Sequence, residues 1–289
     1  MLRTIIFFSV ALCSTLSLRG QGIVEIKPAA RIDTVVTDIT GILGAFPEEV
    51  KFLATQMQDK TEFVIQHLTF TEGRLNGQHV VLAQTGIGKV NASLTTILLI
   101  EHFHPKAIVF TGIAGAINPT LAPGDLVIGT TLAHHDYGAL TATGIQRRPT
   151  RDPATMQENP IYFPCDTSLV HLAQRAGKNL VLEKIKSPQG LRSPKIISGV
   201  IVTGDVFVSS EKATQELQKQ MHAEATEMEG AAVAQVSYQQ HIPFLVIRSM
   251  SDNASSTAPA DIETFYQVAA RNSANLVMAI MTAQGKPKK

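Results

Sequence analysis

The sequence predicts an α/β layer protein with no second domain. Three observations predict it. Apolar runs of strand length alternate from end to end with segments whose apolar residues recur every three or four positions. Several of the strand-like runs stop in glycine-bearing turns carrying polar residues, and in open α/β sheets ligands bind outside the carboxyl ends of strands. The 289 residues are 44% hydrophobic and 17% charged, enough for one large globular domain, and no repeat or low-complexity tract divides them. Lys+Arg 25 against Asp+Glu 24 leaves no basic excess to neutralise phosphates, which argues against a nucleic-acid partner and for small-molecule chemistry.

The amino terminus reads as a targeting segment. Arg3 supplies a positive start and Thr4 to Leu18 is uncharged and apolar, the pattern of a secretory signal peptide over residues 1–22. An uncleaved anchor is the competing reading, although the run is short of the roughly 20 residues a span requires. No small-x-small site precedes Arg19-Gly20-Gln21-Gly22, and Val10-Ala11-Leu12-Cys13 departs from a lipoprotein box. The expectation is export, to a periplasm or outside the cell, with no stable membrane span after cleavage. Cys165 would then be the remaining cysteine, so stability must come from an ordinary core. Residues 23–38 read as a linker, 39–284 as the folded domain and 285–289 as a basic tail.

Within the domain, Thr40 to Phe46 reads as a buried strand, and Pro47 opens a helix at a position where proline is tolerated. Glu49 falls on the edge of that helix's buried face and Glu48 nearer Lys51. Thr61–Phe70 and His79–Thr85 suggest a hairpin turning at Leu75-Asn76-Gly77. Gly86-Ile87-Gly88-Lys89-Val90 leads into a helix from Asn91, and reads either as a tight turn or as a phosphate cradle. Ala107–Phe110 is a strand entering a small-residue loop, Thr111 to Ala116. After the strand Leu126–Gly129 come His134-His135-Asp136, a polar loop or, less in keeping with zinc spacing, metal ligands. Residues 137–165 form an irregular, proline-rich excursion, suited to a lid or a partner surface. Asp166 caps the next helix. Lys195–Val202 is a strand ending in Thr203-Gly204-Asp205-Val206-Phe207-Val208, and a helix follows from Glu211 to Met221. A strand over Pro243–Arg248 precedes Ser249-Met250-Ser251-Asp252-Asn253, and an amphipathic helix spans Ala260 to Thr282.

Ala225-Thr226-Glu227-Met228-Glu229-Gly230 is the stretch around which the rest is organised. It reads either as an acidic helix start or as a site, because an ionised carboxylate entering so apolar a run needs a partner. Glu49, Glu229 and Asp252 would place three carboxylates around one pocket, with Arg248 near Asp252 at a strand end. Such a group can divide acid and base work if the surroundings push the pKa values apart.

These segments resemble the nucleoside phosphorylase and nucleosidase superfamily, most closely its methylthioadenosine/S-adenosylhomocysteine nucleosidases. The resemblance runs from Thr40 to the carboxyl terminus. It is carried by Gly44-Ala45-Phe46-Pro47-Glu48-Glu49-Val50, Thr85 to Val90, Thr111 to Ala116, Gly204 to Phe207, Glu227-Met228-Glu229 and Arg248 to Asp252. It implies a single three-layer domain with a twisted, partly closed mixed sheet flanked by helices, and a homodimer. It also implies cleavage of a purine–ribose bond without cofactor or metal. Asp252 would then be the general acid at the base, Glu49 the base on water, and Arg248 the neighbour of Glu49. Glu229 would take the ribose hydroxyls, Met228 would pack on the ribose, and Phe207 would stack on the purine whose edge Val208 reads. Ile113, Ala114, Gly115 and Ser251 would complete the substrate contacts. Two departures matter. Phe110 stands where phosphorylases of the superfamily carry a phosphate-binding arginine, which favours water as nucleophile. Ile113 stands where the nucleosidases usually carry a small hydroxyl residue. A phosphorylase with another anion site and a non-catalytic nucleoside-binding or storage protein are the alternative readings.

Overall fold

The structure, a computed structural model, describes residues 38–187 and 190–285. The proposed signal peptide, the linker up to residue 37 and the tail beyond Gly285 lie outside the described residues.

In chain order the elements are β1 (Thr40–Gly44), α1 (Pro47–Gln56), β2 (Gln58–Ile65), β3 (Leu68–Leu75), β4 (Gln78–Gln84), α2 (Lys89–Phe103), β5 (Ala107–Ala116) and β6 (Leu126–His134). Then come β7 (Gly138–Thr141), β8 (Gly144–Arg147), β9 (Phe163–Pro164), α3 (Thr167–Gly177), β10 (Ile185–Ser187), β11 (Gly190–Arg192) and β12 (Ile196–Thr203). The chain finishes with α4 (Glu211–Met221), β13 (Ala223–Glu227), α5 (Gly230–Gln239), β14 (Phe244–Asp252) and α6 (Ala258–Gln284). Among the described residues no helix is long and apolar enough to cross a membrane.

The main sheet runs β13-β12-β6-β14-β5-β1-β4-β3-β2. It is parallel at its centre, where β5 lies between β1 and β14, and antiparallel at the β2-β3-β4 meander. β13 also pairs antiparallel with β5, through Ala225↔Ala116 and Thr226↔Gly115, so part of the sheet closes on itself. The partly closed mixed sheet that the family resemblance implies is thus present. α6 packs on β5 and β14 and against α1 and α3, while α2 packs on α5. Each residue of β5 and β14 is buried, which is why both read as near-continuous apolar runs. Side chains such as Val109 and Ile247 there, and Leu43 on the neighbouring β1, are wholly buried and contribute roughly 1.5–3 kcal/mol each.

Four local expectations need correction. The small-residue loop expected at Thr111–Ala116 and the segment Ser249–Asp252 are continuations of β5 and β14, paired with each other from Phe244↔Ile108 to Asp252↔Gly115. Their glycines provide clearance and not turns. A Cβ on Gly112 would lie 2.3 Å from Glu49 Oε1, and one on Gly115 would lie 2.8 Å from Asp252 Oδ1. The Glu-Met-Glu stretch is not a helix: Glu227 ends β13, and Glu229 is the N-cap of α5. The expected hairpin is a three-stranded meander, because Gln66 and His67 make a further turn at positive φ without the help of glycine. The 137–165 excursion contains a hairpin, β7-β8, and a short strand, β9, laid on β6.

Candidate active site

Glu49 sits in the first turn of α1 and is 2% exposed. Its Oε2 accepts from the Ala45 amide and, at 3.4 Å, from that of Phe46, so the side chain folds back over its own helix start. Its Oε1 accepts from the Ile113 amide of β5 at 2.9 Å. Glu229 accepts from the Gly88 amide at 2.8 Å. Asp252, also 2% exposed, closes β14 and accepts from Ser251 Oγ and the Ala254 amide, both at 2.8 Å.

All three carboxylates line one cavity of about 160 Å³, and Glu227 lines it with them. Phe46, Ile87, Ile113, Ala114, Gly115, Phe207, Met228, Ser251 and Ile262 line it as well. Val208 lines a smaller adjoining hollow together with Phe207, Met228 and Asp252. A wider concavity of about 510 Å³ lies over α4, lined by a mixture of apolar residues such as Ile117 and Leu121 and polar ones such as Asn118 and Gln215, and its one acid, Glu211, is exposed. The buried acids are what single out the smaller one.

Arg248 departs from expectation. It is 1% exposed and does not line the cavity. Its ion pair is with Glu227, at 2.7 Å, and not with Glu49, while Glu229 lies at 3.9 Å. The guanidinium stacks over Phe110, 4.0 Å from the ring centre, and its Nε has no hydrogen-bond partner among the described residues. Phe110 therefore supplies a face for the arginine. Glu227, absent from the expected site residues, is its anchor. Its carboxylate accepts from Arg248, from Thr203 Oγ1 and from the Glu229 and Gly230 amides. The signal was present in the motif: a second acid two residues before Glu229, in the same nearly uncharged run, needs a partner as much as Glu229 does.

Burial raises the Glu49 pKa from 4.5 to about 7, against the pull of Arg248 and the three amides. Glu229 is also raised, by burial first and then by Glu227, with Arg248 and the Gly88 amide opposing. Asp252 is raised by burial, opposed by its bonds to Ala254 and Ser251. The cavity thus favours protons on its acids, as acid–base chemistry near neutral pH requires.

The Gly-Ile-Gly loop does not offer a free anion seat. The Gly88 amide is taken by Glu229, and the Lys89 amide by Asp205 Oδ1 at 2.8 Å, so the chain's own carboxylates occupy the start of α2. Lys89 Nζ pairs with Asp136 at 2.7 Å. His134 lies 3.1 Å from Gln235, and His135 is buried against Gly204. Among the described residues no three His, Cys, Asp or Glu side chains are grouped to hold a metal.

A mixed sheet closed through β13 and β5, presenting buried acids at the ends of β13 and β14, defines a class. The sequence profile of the phosphorylase superfamily matches residues 39–282, and the chain belongs to that superfamily. Its relatives narrow the branch. The 5′-methylthioadenosine/S-adenosylhomocysteine nucleosidase of Shewanella sediminis is 39% identical over 83% of this chain and 97% of its own length. The corresponding nucleosidase of Neisseria meningitidis, solved with methylthio-immucillin-A, superposes with a TM-score of 0.72 at 34% identity, covering 85% of this chain and 99% of that one. That of Colwellia psychrerythraea, solved with adenine, gives 0.73 at 35% identity, covering 85% and 95%. This chain is a member of the methylthioadenosine/S-adenosylhomocysteine nucleosidase family.

The raised Glu49 carboxyl has a consequence for stability. The unfolded side chain ionises near 4.5 and the folded one near 7, so the native state holds the extra proton between these values. The contribution is full below the lower value and is lost as pH rises through the higher. Glu49→Gln cannot titrate. Urea denaturation should therefore show the wild type losing stability relative to this variant between about pH 5 and pH 8, by up to about 3 kcal/mol. Parallel pH dependences would contradict the buried, protonated side chain.

Proposed function

We propose that the chain hydrolyses the N-glycosidic bond of a 5′-substituted adenine nucleoside, methylthioadenosine or S-adenosylhomocysteine, and releases adenine. The observation that carries this is the convergence of Glu49, Glu229 and Asp252 on one cavity.

The chemistry has two difficulties, a poor leaving group and a ribose that becomes cation-like. Asp252, with its proton favoured by burial, gives that proton to N7 of the base, so adenine departs neutral. Water adds to C1′ and Glu49 takes its proton; a carboxyl near 7 is half ionised at neutral pH and suits that step. Glu229 accepts from the ribose hydroxyls and faces the developing positive charge. Met228 packs on the sugar, Phe207 stacks on the purine and Val208 reads its edge. Arg248 acts from behind, holding Glu227 and drawing on Glu229 and Glu49 through its charge.

Two features favour water over phosphate as nucleophile. Phe110 lies beneath Arg248 where an anion-binding arginine would otherwise stand, and the amides at the start of α2 are already committed. Ile113 is compatible with this scheme, because what its position gives Glu49 is a backbone amide. Its side chain joins Phe46, Ile262, Tyr266, Ala269 and Ala270 in an apolar cluster suited to a thioether.

The reading extends to assembly and location. The cavity is smaller than the roughly 300 Å³ at the low end of small-molecule sites, and Ile87 and Phe207 on its rim are 56% and 48% exposed. Val90 and Leu94, four apart on α2, and Ile87 in the loop before it are exposed apolar residues, a patch that a second copy of the chain would cover while closing the rim. The leader-like residues 1–22 support export.

Adenine should appear from methylthioadenosine at the same rate with and without phosphate, and Asp252→Asn and Glu49→Gln should each lower turnover at least about a hundredfold with the fold intact. A phosphate requirement, or near-normal turnover in both variants, would overturn the scheme. Sedimentation should give a dimer that Val90→Glu shifts toward monomer. Mass spectrometry of the chain recovered from the periplasm or medium should find the amino terminus near Gly22.

A further inference from the structure

Lys89, Asp136 and Asp205 make a closed ring of polar contacts beside the cavity. Lys89 Nζ donates to both oxygens of Asp136, at 2.7 and 2.9 Å. Asp136 Oδ2 also accepts from the Asp205 amide at 2.8 Å. The Asp205 carboxylate returns to α2, accepting from the Lys89 amide at 2.8 Å and lying 3.7 Å from its Nζ. Asp136 follows β6, Asp205 follows β12 and Lys89 opens α2, so the ring joins three elements that share no loop.

We propose that this ring is a clasp that positions the base-stacking loop of the nucleoside site against the ribose-binding side. The proposal rests on the nucleosidase reading and deepens it. One end of the clasp is Gly88, the residue before Lys89, whose amide holds Glu229 on the ribose side. The other end is Phe207, two residues after Asp205, half exposed and on the cavity wall. Among the described residues, the hydrogen bonds that tie segment 205–209 to the rest of the chain run through Asp205, its amide to Asp136 and its carboxylate to Lys89. Without them the segment is held at its two ends, by the Gly204 amide on the Glu227 carbonyl and the Ser210 amide on the Ala254 carbonyl, and between them by packing of Val208 against its apolar neighbours, so nothing polar fixes the stretch that aims Phe207. The clasp is partly shielded, since the Lys89 and Asp136 side chains are 20% and 17% exposed. Burial opposes the Asp136 charge, but Lys89 and the Asp205 amide hold its carboxyl below the usual range, so it is ionised wherever the enzyme works. Gly88 fits this use: its φ is +93°, and a Cβ there would press on Asp205 Oδ1 at 3.2 Å. Lys89, conspicuous in a Gly-Ile-Gly loop as an anion ligand, is instead a positioning residue.

The test is calorimetric binding of adenine together with steady-state hydrolysis of methylthioadenosine, on the full chain. Stacking serves ground and transition states alike, so Asp136→Asn and Lys89→Met should each raise the adenine Kd and the KM about tenfold while kcat stays within about threefold. Lys89→Arg, which keeps paired N–H donors on Asp136, should stay within about threefold of wild type in both constants. In a Phe207→Ala background, Asp136→Asn should add less than about threefold, because both changes act through one ring. If Asp136→Asn or Lys89→Met fails to fold, Asp205→Ala, at a solvent-facing side chain, decides alone and should shift Kd and KM in the same direction. The proposal is overturned if Kd and KM stay within about twofold of wild type, or if activity falls only in proportion to folded protein. A wild-type chain that binds adenine but does not hydrolyse the nucleoside refutes the nucleosidase reading and leaves the adenine arm to decide the clasp. A wild-type chain that binds no adenine overturns both.

Discussion

The pairing of Arg248 with Glu227 is the contact that makes the rest of the site tenable. Glu227, Glu229 and Glu49 are brought close together out of water, and carboxylates so placed repel one another and resist ionisation. One guanidinium, stacked on Phe110 and bonded to Glu227, offsets part of that cost. The division is unequal. Glu227 receives the direct bond from Arg248 and four donors in all, whereas Glu229 and Glu49 are held by backbone amides and feel Arg248 only through its charge. One carboxylate bound to a cation and two with raised pKa values are thereby produced from the same residue type, by what each touches. Breaking such a pair on one side leaves a buried charge without compensation, which is far costlier than never having made it.

Much of the architecture was legible in the chain because local signals and tertiary demands agreed. Pro47, the Asp166 cap and the helix from Glu211 to Met221 fall where the sequence puts them. The failures have more than one physical origin. Gly112 and Gly115 were read as loop residues because glycine usually marks a turn, whereas they lie in a fully buried strand and leave room for Glu49 and Asp252. The sequence carries no record of what a missing Cβ makes room for. Gln66 and His67 turn the chain without a turn residue, for which no local signal existed.

The site was readable as a set of acids but not as a wiring diagram. Glu49, Glu229 and Asp252 meet as expected, and Phe207, Met228 and Ser251 stand around them. The partner of Arg248 was not readable, because the choice between Glu49 and Glu227 depends on how β13 closes onto β5. Ile113 illustrates the same limit. Judged by side chain it is out of place, yet its amide serves Glu49 as any residue's would.

The closure of the sheet has one more implication. Gly115 is paired on one side with Thr226 and on the other with Asp252, so the strand bearing the acid and the strand leading to Glu229 are gauged from a single peptide. Their separation is set by ladder spacing, about 4.8 Å from strand to strand, and not by any loop. The apolar rim formed by Phe46, Ile87 and Ile262 is not bound to that gauge. Substitution at that rim can therefore reshape the mouth of the cavity while the spacing of the two acid-bearing strand ends is inherited unchanged.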